Sequence, residues 1–154
     1  MKIGIAAIGR LGRTPEAGLV KDYADRATAS GRALGLGPVD VAELDARKPG
    51  KGPEADLLLA AAEGARLVAC DERGKVWRSR DFAAHIADLR DRGERRLVFA
   101  IGGADGLDPR VVDAAAETLA FGPQTWPHAL ARVMLAEQIY RAVTILAGSP
   151  YHRD

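Results

Sequence analysis

The chain has 154 residues, 47% hydrophobic and 28% charged, a profile that excludes a disordered chain and fits a single soluble globular domain over 1–154. At this length roughly 68–70% of the unfolded surface is hidden on folding, so a core forms without metals or disulfides. Lys and Arg total 22 against 21 for Asp and Glu, a formal charge of +1 that neither announces nor excludes nucleic acid and leaves any RNA-facing surface to local arrangement.

The N-terminus runs directly into the strand pattern Lys2 to Ile8, without the charged region and cleavage site of a signal peptide. Short β-type runs then alternate with longer helical ones, which predicts an α/β domain with a largely parallel sheet. Further strands are expected at Pro38 to Leu44, Arg66 to Cys70, Arg95 to Ile101 and Thr118 to Phe121. Helices are expected at Pro15 to Ala33, Pro53 to Glu63, Ser79 to Arg92, Asp108 to Glu117 and Pro127 to Leu146. Ser79 is placed to cap the third helix, whose Phe82, Ile86 and Leu89 fall on one face, and Gly93 ends it. The last helix is apolar over most of its circumference, from Leu130 to Leu146, so it is expected to serve both the core and a subunit interface. No apolar run approaches the ~18 residues of a membrane-spanning helix. The lone Cys70 excludes an intramolecular disulfide and a Cys-rich zinc site, and it fits a reducing cytoplasm.

Candidate chemistry concentrates in the turns. Gly9-Arg10-Leu11-Gly12 follows the first strand, but Ala7 stands where the dinucleotide fingerprint needs its first glycine, so an ordinary strand-to-helix turn is the better reading. The basic segment Arg47 to Pro53 reads as a solvated connection that could touch a phosphate backbone. Three other loops follow strands: Asp71 to Lys75, Gly102 to Gly106, and Phe121 to His128. In an open parallel sheet, ligands lie at the carboxyl ends of strands, so the convergence of these loops predicts a ligand site. Glycines there let backbone groups approach a ligand closely. Thr125 and Pro127 read as the cap and first turn of the last helix. The tail Pro150 to Asp154 carries Tyr151, His152 and Arg153 in succession, side chains able to stack, move a proton and hold a phosphate.

Ile101 to Gly106, Thr125 to His128, Arg132 to Ala142 and Pro150 to Arg153, in this order and spacing, closely resemble the RlmH family. These are large-subunit ribosomal RNA pseudouridine N3-methyltransferases of the SPOUT superfamily. The resemblance spans essentially the whole chain and includes Trp77. It implies a SPOUT-type parallel sheet flanked by helices with a C-terminal trefoil knot, an exception to the rule against knotted chains. It also implies a homodimer, a cytoplasmic enzyme, S-adenosylmethionine as cofactor, no metal, and methylation of N3 of a pseudouridine in 23S ribosomal RNA of the assembled ribosome. The implied cofactor contacts are Cys70, Gly102, Gly103, Phe121, Gly122, Pro123, Gln124, Thr125 and Trp126. Cys70 stands where the family usually carries Leu, and the loop from Phe121 replaces a usual Ser-x-Met/Leu-Thr-aliphatic pattern.

For the chemistry, His152 is the candidate base or positioning residue, with Arg153 and Arg141 as candidates for phosphate or carbonyl binding. Glu137 lies four residues before Arg141, the favourable order for a helix salt bridge. Two other classes stay open on the residues alone. An NAD-dependent oxidoreductase requires the Gly9 to Gly12 turn to hold a pyrophosphate, and a non-catalytic RNA-binding dimer requires only the basic loops and tail.

Overall fold

A computed structural model describes residues 1–153; Asp154, the end of the expected domain and tail, lies outside the described residues. Five strands, β1 (Lys2–Ile8), β2 (Val39–Leu44), β3 (Arg66–Val76), β4 (Arg96–Ile101) and β5 (Glu117–Ala120), form one sheet in the order β2-β1-β4-β3-β5. Every pairing is parallel. The helices are α1 (Pro15–Gly31), α2 (Lys51–Ala61), α3 (Ser79–Asp91), α4 (Pro109–Ala114) and α5 (His128–Leu146).

Strand alternation divides the core into two layers, because successive side chains point to opposite faces. Ile3 and Ile5 of β1 and Leu97, Phe99 and Ile101 of β4 pack against α1, α3 and α5. Ala6, Ile8, Val98 and Ala100 face the other way, where Ala55 and Leu58 of α2 and Val111 of α4 cover them. α5 presses Leu135, Ala136, Ile139, Ala142 and Val143 into the first layer between α1 and α3.

Several boundaries differ from expectation for identifiable reasons. The fourth helix ends at Ala114 rather than Glu117: the Ala116 N–H is captured by the Leu67 carbonyl at 2.9 Å, so the chain is already pairing as a strand. Glu117 then opens β5, held by Arg66 at 2.6 Å and His85 at 2.5 Å. The expected long first helix gives way to a 3-10 turn at Arg32–Leu34. Helix α2 starts at Lys51, inside the segment read as a basic loop. Ser79 is not the α3 cap; that place belongs to Arg78, and the Ser79 hydroxyl donates to Gln138 Oε1 at 2.8 Å, tying α3 to α5.

The largest departure is in β3. The Asp71 to Lys75 segment, expected as a loop, continues the strand through a bulge in which Cys70 and Lys75 both pair with Leu119. Gly74 makes this possible: a Cβ there would stand 2.7 Å from the Leu119 carbonyl carbon and 2.9 Å from the Asp71 oxygen. Only a residue without a side chain brings the two backbones so close.

Candidate active site

All five strands run parallel, and the bulged segment Cys70 to Arg73 within β3 meets the loops after β4 and β5 around a cavity of about 690 Å³. That volume suits a small cofactor. Its floor is glycine backbone. A Cβ on Gly102 would stand 2.8 Å from the Gly106 carbonyl, and one on Gly103 would stand 3.1 Å from the Glu54 carboxylate. The Gly106 N–H donates to the Gly103 carbonyl at 3.0 Å, closing a tight turn with Gly106 in the left-handed region.

Apolar walls come from Ile101, Leu107, Leu119 and Phe121, and Asp71, Glu72 and Asp105 bring carboxylates to the lining. Of the expected cofactor contacts, Cys70, Gly102 and Gly103 line the cavity from one side, and Phe121, Gly122, Gln124, Thr125 and Trp126 from the other. Pro123 is not in the lining. Trp126 is 41% exposed, so its ring lies at the rim rather than forming a closed wall. Burial pushes the Cys70 thiol up to about 12, leaving a neutral side chain that packs rather than reacts. Thr125 does not cap α5; its hydroxyl donates to Glu72 Oε2 at 3.4 Å across the cavity mouth, and Pro127 holds the cap position.

The tail forms a second cluster. Tyr151 donates its hydroxyl to Glu137 Oε1 at 3.0 Å and meets Tyr140 edge-on at 4.7 Å. Arg141 pairs with the same Glu137 oxygen at 2.6 Å, the expected helix bridge, and Arg141 Nη1 lies 3.2 Å from His152 Nδ1. Burial first, then hydrogen bonding to Tyr23 and Glu137, raises the Tyr151 phenol above its usual range, so it stays protonated. A guanidinium only donates, so Nδ1 of His152 must accept, and the proton of the neutral ring sits on Nε2. Arg153 is exposed and lies outside the cavity lining.

The tail cluster contributes no residue to the lining of this cavity, although a second cavity that shares Leu119 to Gly122 with it reaches the cluster at Glu137. Ala131 is the last α5 residue in the cavity lining, and Arg141 stands ten residues later, roughly 15 Å along the helix axis. Beside the tail cluster, this second cavity of about 460 Å³ lies between Tyr23, Trp77, Phe82, Val133, Met134 and Glu137.

Sequence reading missed Arg132. It is fully buried, and its Nη1 donates to the Gly9 carbonyl at 2.9 Å while Nη2 donates to the Ile8 carbonyl. Burial lowers its pKa while Glu43, 3.5 Å away, opposes the shift. Arg132 Nη2 lies 3.7 Å from where a Gly9 Cβ would be, so the Gly9 to Gly12 turn is braced by the protein's own guanidinium rather than kept for a pyrophosphate. The available signal was that helical spacing puts Arg132 on one face with Leu135, Ala136 and Ile139. No described cluster of His, Cys, Asp and Glu could hold a metal ion, and no described helix is long and apolar enough to cross a membrane.

The profile of a family described as "Predicted SPOUT methyltransferase" matches residues 1–152. "Ribosomal RNA large subunit methyltransferase H" of Caulobacter vibrioides is 70% identical over 154 residues, covering 100% of this chain and 99% of the relative. The chain belongs to the RlmH family of SPOUT methyltransferases. The relative of the same name from Paracoccus denitrificans is 56% identical, with 100% of both chains covered. A solved structure titled as a probable methylase family protein from Haemophilus influenzae Rd KW20 has a TM-score of 0.57 at 15% identity, covering 99% of this chain and 70% of that one. A probable methyltransferase from Bordetella pertussis Tohama I has a TM-score of 0.52 at 13% identity, covering 92% of this chain and 96% of that one. These distant structures share the fold. As an RlmH-family methyltransferase, the chain needs a methyl donor, and the glycine-floored cavity at the strand ends fits a small one.

Proposed function

We propose that this methyltransferase uses S-adenosylmethionine to methylate N3 of a pseudouridine in 23S ribosomal RNA of the assembled ribosome, acting in the cytoplasm as a homodimer. Full-length likeness to relatives named ribosomal RNA large subunit methyltransferase H carries the reading. The same family membership supports a trefoil-knotted path for the C-terminal third and one domain over 1–154.

Cys70, Gly102, Gly103 and the segment from Phe121 to Trp126 would hold the donor, which supplies an activated methyl group when bound. The chain's own contribution is to bind, orient and manage a proton. Gly102 and Gly103 bring bare backbone to the cavity lining, and Phe121 and Leu119 add apolar surface to it. In the tail, Glu137 fixes Arg141, and Arg141 fixes the His152 tautomer. His152 is the candidate base or positioning residue at the target base. When the RNA draws Arg141 onto a phosphate or carbonyl, Nδ1 is released and can take the N3 proton. Arg153, exposed beside it, serves as a phosphate contact.

Transfer needs the reacting atoms about 3–3.5 Å apart, whereas roughly 15 Å of α5 separates cavity from tail within one subunit. A second copy resolves this by bringing its tail to the first copy's cavity. The half-exposed Val133 and Met134 of α5, with Leu19 at 46% and Val76 at 63% exposure, supply an apolar face for that copy.

The test is mass spectrometry of ribosomal RNA from cells with and without the gene, followed by methyl transfer to purified ribosomes with a labelled donor. A lost N3-methylpseudouridine, restored in vitro by the protein, is the expected result. An unchanged modification profile refutes the reading.

A further inference from the structure

The basic segment between β2 and α2 is taken up by neither the tail nor the cavity, apart from Lys51 in the cavity lining. Its place in the fold gives it a neighbour. Ile8 pairs with Leu44, and the Gly9 N–H donates to the Leu44 carbonyl at 2.7 Å, so the loops after β1 and β2 leave the same sheet edge side by side. Together they carry Arg10, Arg13, Arg47 and Lys48, with Lys51 at the start of α2, all exposed.

The acids on these loops are already engaged. Glu43 accepts from the Leu11 N–H at 2.9 Å and faces Arg132 at 3.5 Å, and Asp45 pairs with Arg10 at 3.6 Å. Among the described residues, Arg13, Arg47, Lys48 and Lys51 have no ion-pair partner. Elsewhere on the surface Arg26, Arg92 and Arg110 each meet a carboxylate at 3.0 Å, whereas Arg32, Arg78 and Arg95 have none among the described residues and stand apart in sequence rather than gathered on two adjacent loops. A chain with a formal charge of +1 thus gathers four unpaired cations on one edge, where their fields add. The edge is also anchored to the cavity. Arg110 Nη2 donates to the Gly52 carbonyl at 2.8 Å and Nη1 to Asp56 at 3.0 Å, fixing the first turn of α2 and with it the backbone of Lys51.

We propose that this β2–β1 edge, through Arg13, Arg47, Lys48 and Lys51, holds the phosphodiester backbone of the RNA that flanks the target nucleotide. The β4–β3–β5 half of the same edge holds the donor, so one parallel sheet carries both ligands side by side. Such phosphate contacts set position and register and read no sequence. The inference rests on the reading that the substrate is RNA.

The experiment is co-sedimentation of the full-length protein with purified ribosomes in a salt series from roughly 50 to 200 mM, which needs no methyl transfer. Wild type is compared with the double variant Arg47→Gln/Lys48→Gln, and titration calorimetry with S-adenosylmethionine is run on both. The variant is expected to bind ribosomes about 10-fold more weakly at the low-salt end, with its log–log salt slope shallower by about 1.5, and to keep its S-adenosylmethionine affinity. Retained donor affinity shows that the variant is folded; Arg13→Gln, on the neighbouring loop, gives an independent second reading with about half the slope change. Wild-type affinity and slope in both variants overturn the proposal. Ribosome binding that follows the expected pattern without methylation by the wild type refutes the proposed function and leaves the edge standing. Normal methylation with unchanged variant binding refutes the edge alone.

Discussion

Arg141 Nη1 stands 3.2 Å from His152 Nδ1, and the same guanidinium grips Glu137 Oε1 at 2.6 Å, so one arginine links helix and tail. His152→Ala removes the proposed proton handler and is expected to slow single-turnover methylation of ribosomes by about 10²–10⁴-fold, with donor affinity intact. Arg141→Lys keeps the charge but loses the fork that holds Glu137 and Nδ1 together, so it should fall between His152→Ala and wild type. A normal rate in His152→Ala removes the residue from the chemistry.

The two floor glycines should respond unequally. At Gly102 an added methyl meets the Gly106 backbone carbonyl at 2.8 Å, and a backbone cannot step aside cheaply. At Gly103 it meets the end of the Glu54 side chain at 3.1 Å, together with Ile8 Cγ2 at 3.3 Å. Gly102→Ala should therefore weaken S-adenosylmethionine binding by at least ~10-fold and Gly103→Ala by less than ~5-fold, read by calorimetry. Equal losses would show that the floor does not need Gly102's close approach.

These contrasts mark what the residues alone could say. The β-type runs at Lys2 to Ile8 and Arg95 to Ile101 and the helical spacing of Phe82, Ile86 and Leu89 were legible, because burial follows period. The cavity was legible because Gly102, Gly103 and the segment from Phe121 follow strands, and parallel strands end on one edge. The bulge at Gly74 was not, since it depends on how closely Leu119 passes, a relation between residues far apart in sequence. Nor was Arg132, whose partners are the Ile8 and Gly9 carbonyls at the opposite end of the chain. The caps expected at Ser79 and Thr125 failed for a shared reason: tertiary partners, Gln138 and Glu72, took those hydroxyls.

Cys70 supplies a pH signature. Its thiol is raised from 9.0 to about 12 by burial, so between those values the native state holds a proton that the unfolded chain has released. The associated stability is fully present below pH 9 and is lost as pH rises toward 12. Urea midpoints measured from pH 8 upward should fall more steeply for wild type than for Cys70→Ala. Parallel curves would show that the thiol titrates as freely as in the unfolded chain.

The composite site predicts complementation between defective subunits. Val76→Glu/Leu19→Glu places charges on the apolar face and should yield monomers by light scattering, with methylation reduced by at least ~100-fold. Mixing subunits inactivated at the cavity by Gly102→Val with subunits inactivated at the tail by His152→Ala should restore part of the activity, because mixed dimers rebuild one intact site. No recovery, in dimers shown to exchange, would place cavity and tail in the same subunit.

Because β3 runs on through its own ligand-facing turn to pair again at Lys75, the length of that turn is fixed by hydrogen-bonded strands on both sides. Most surface loops can lengthen or shorten without disturbing the scaffold. Here a single inserted or deleted residue would shift Lys75, Val76 and Trp77 by one place and turn each toward the opposite face. Trp77 would lose its tilted contact with the His85 ring, 4.9 Å away. Beyond Gly74, what this stretch holds constant is its spacing, locked to the cavity and the sheet at once.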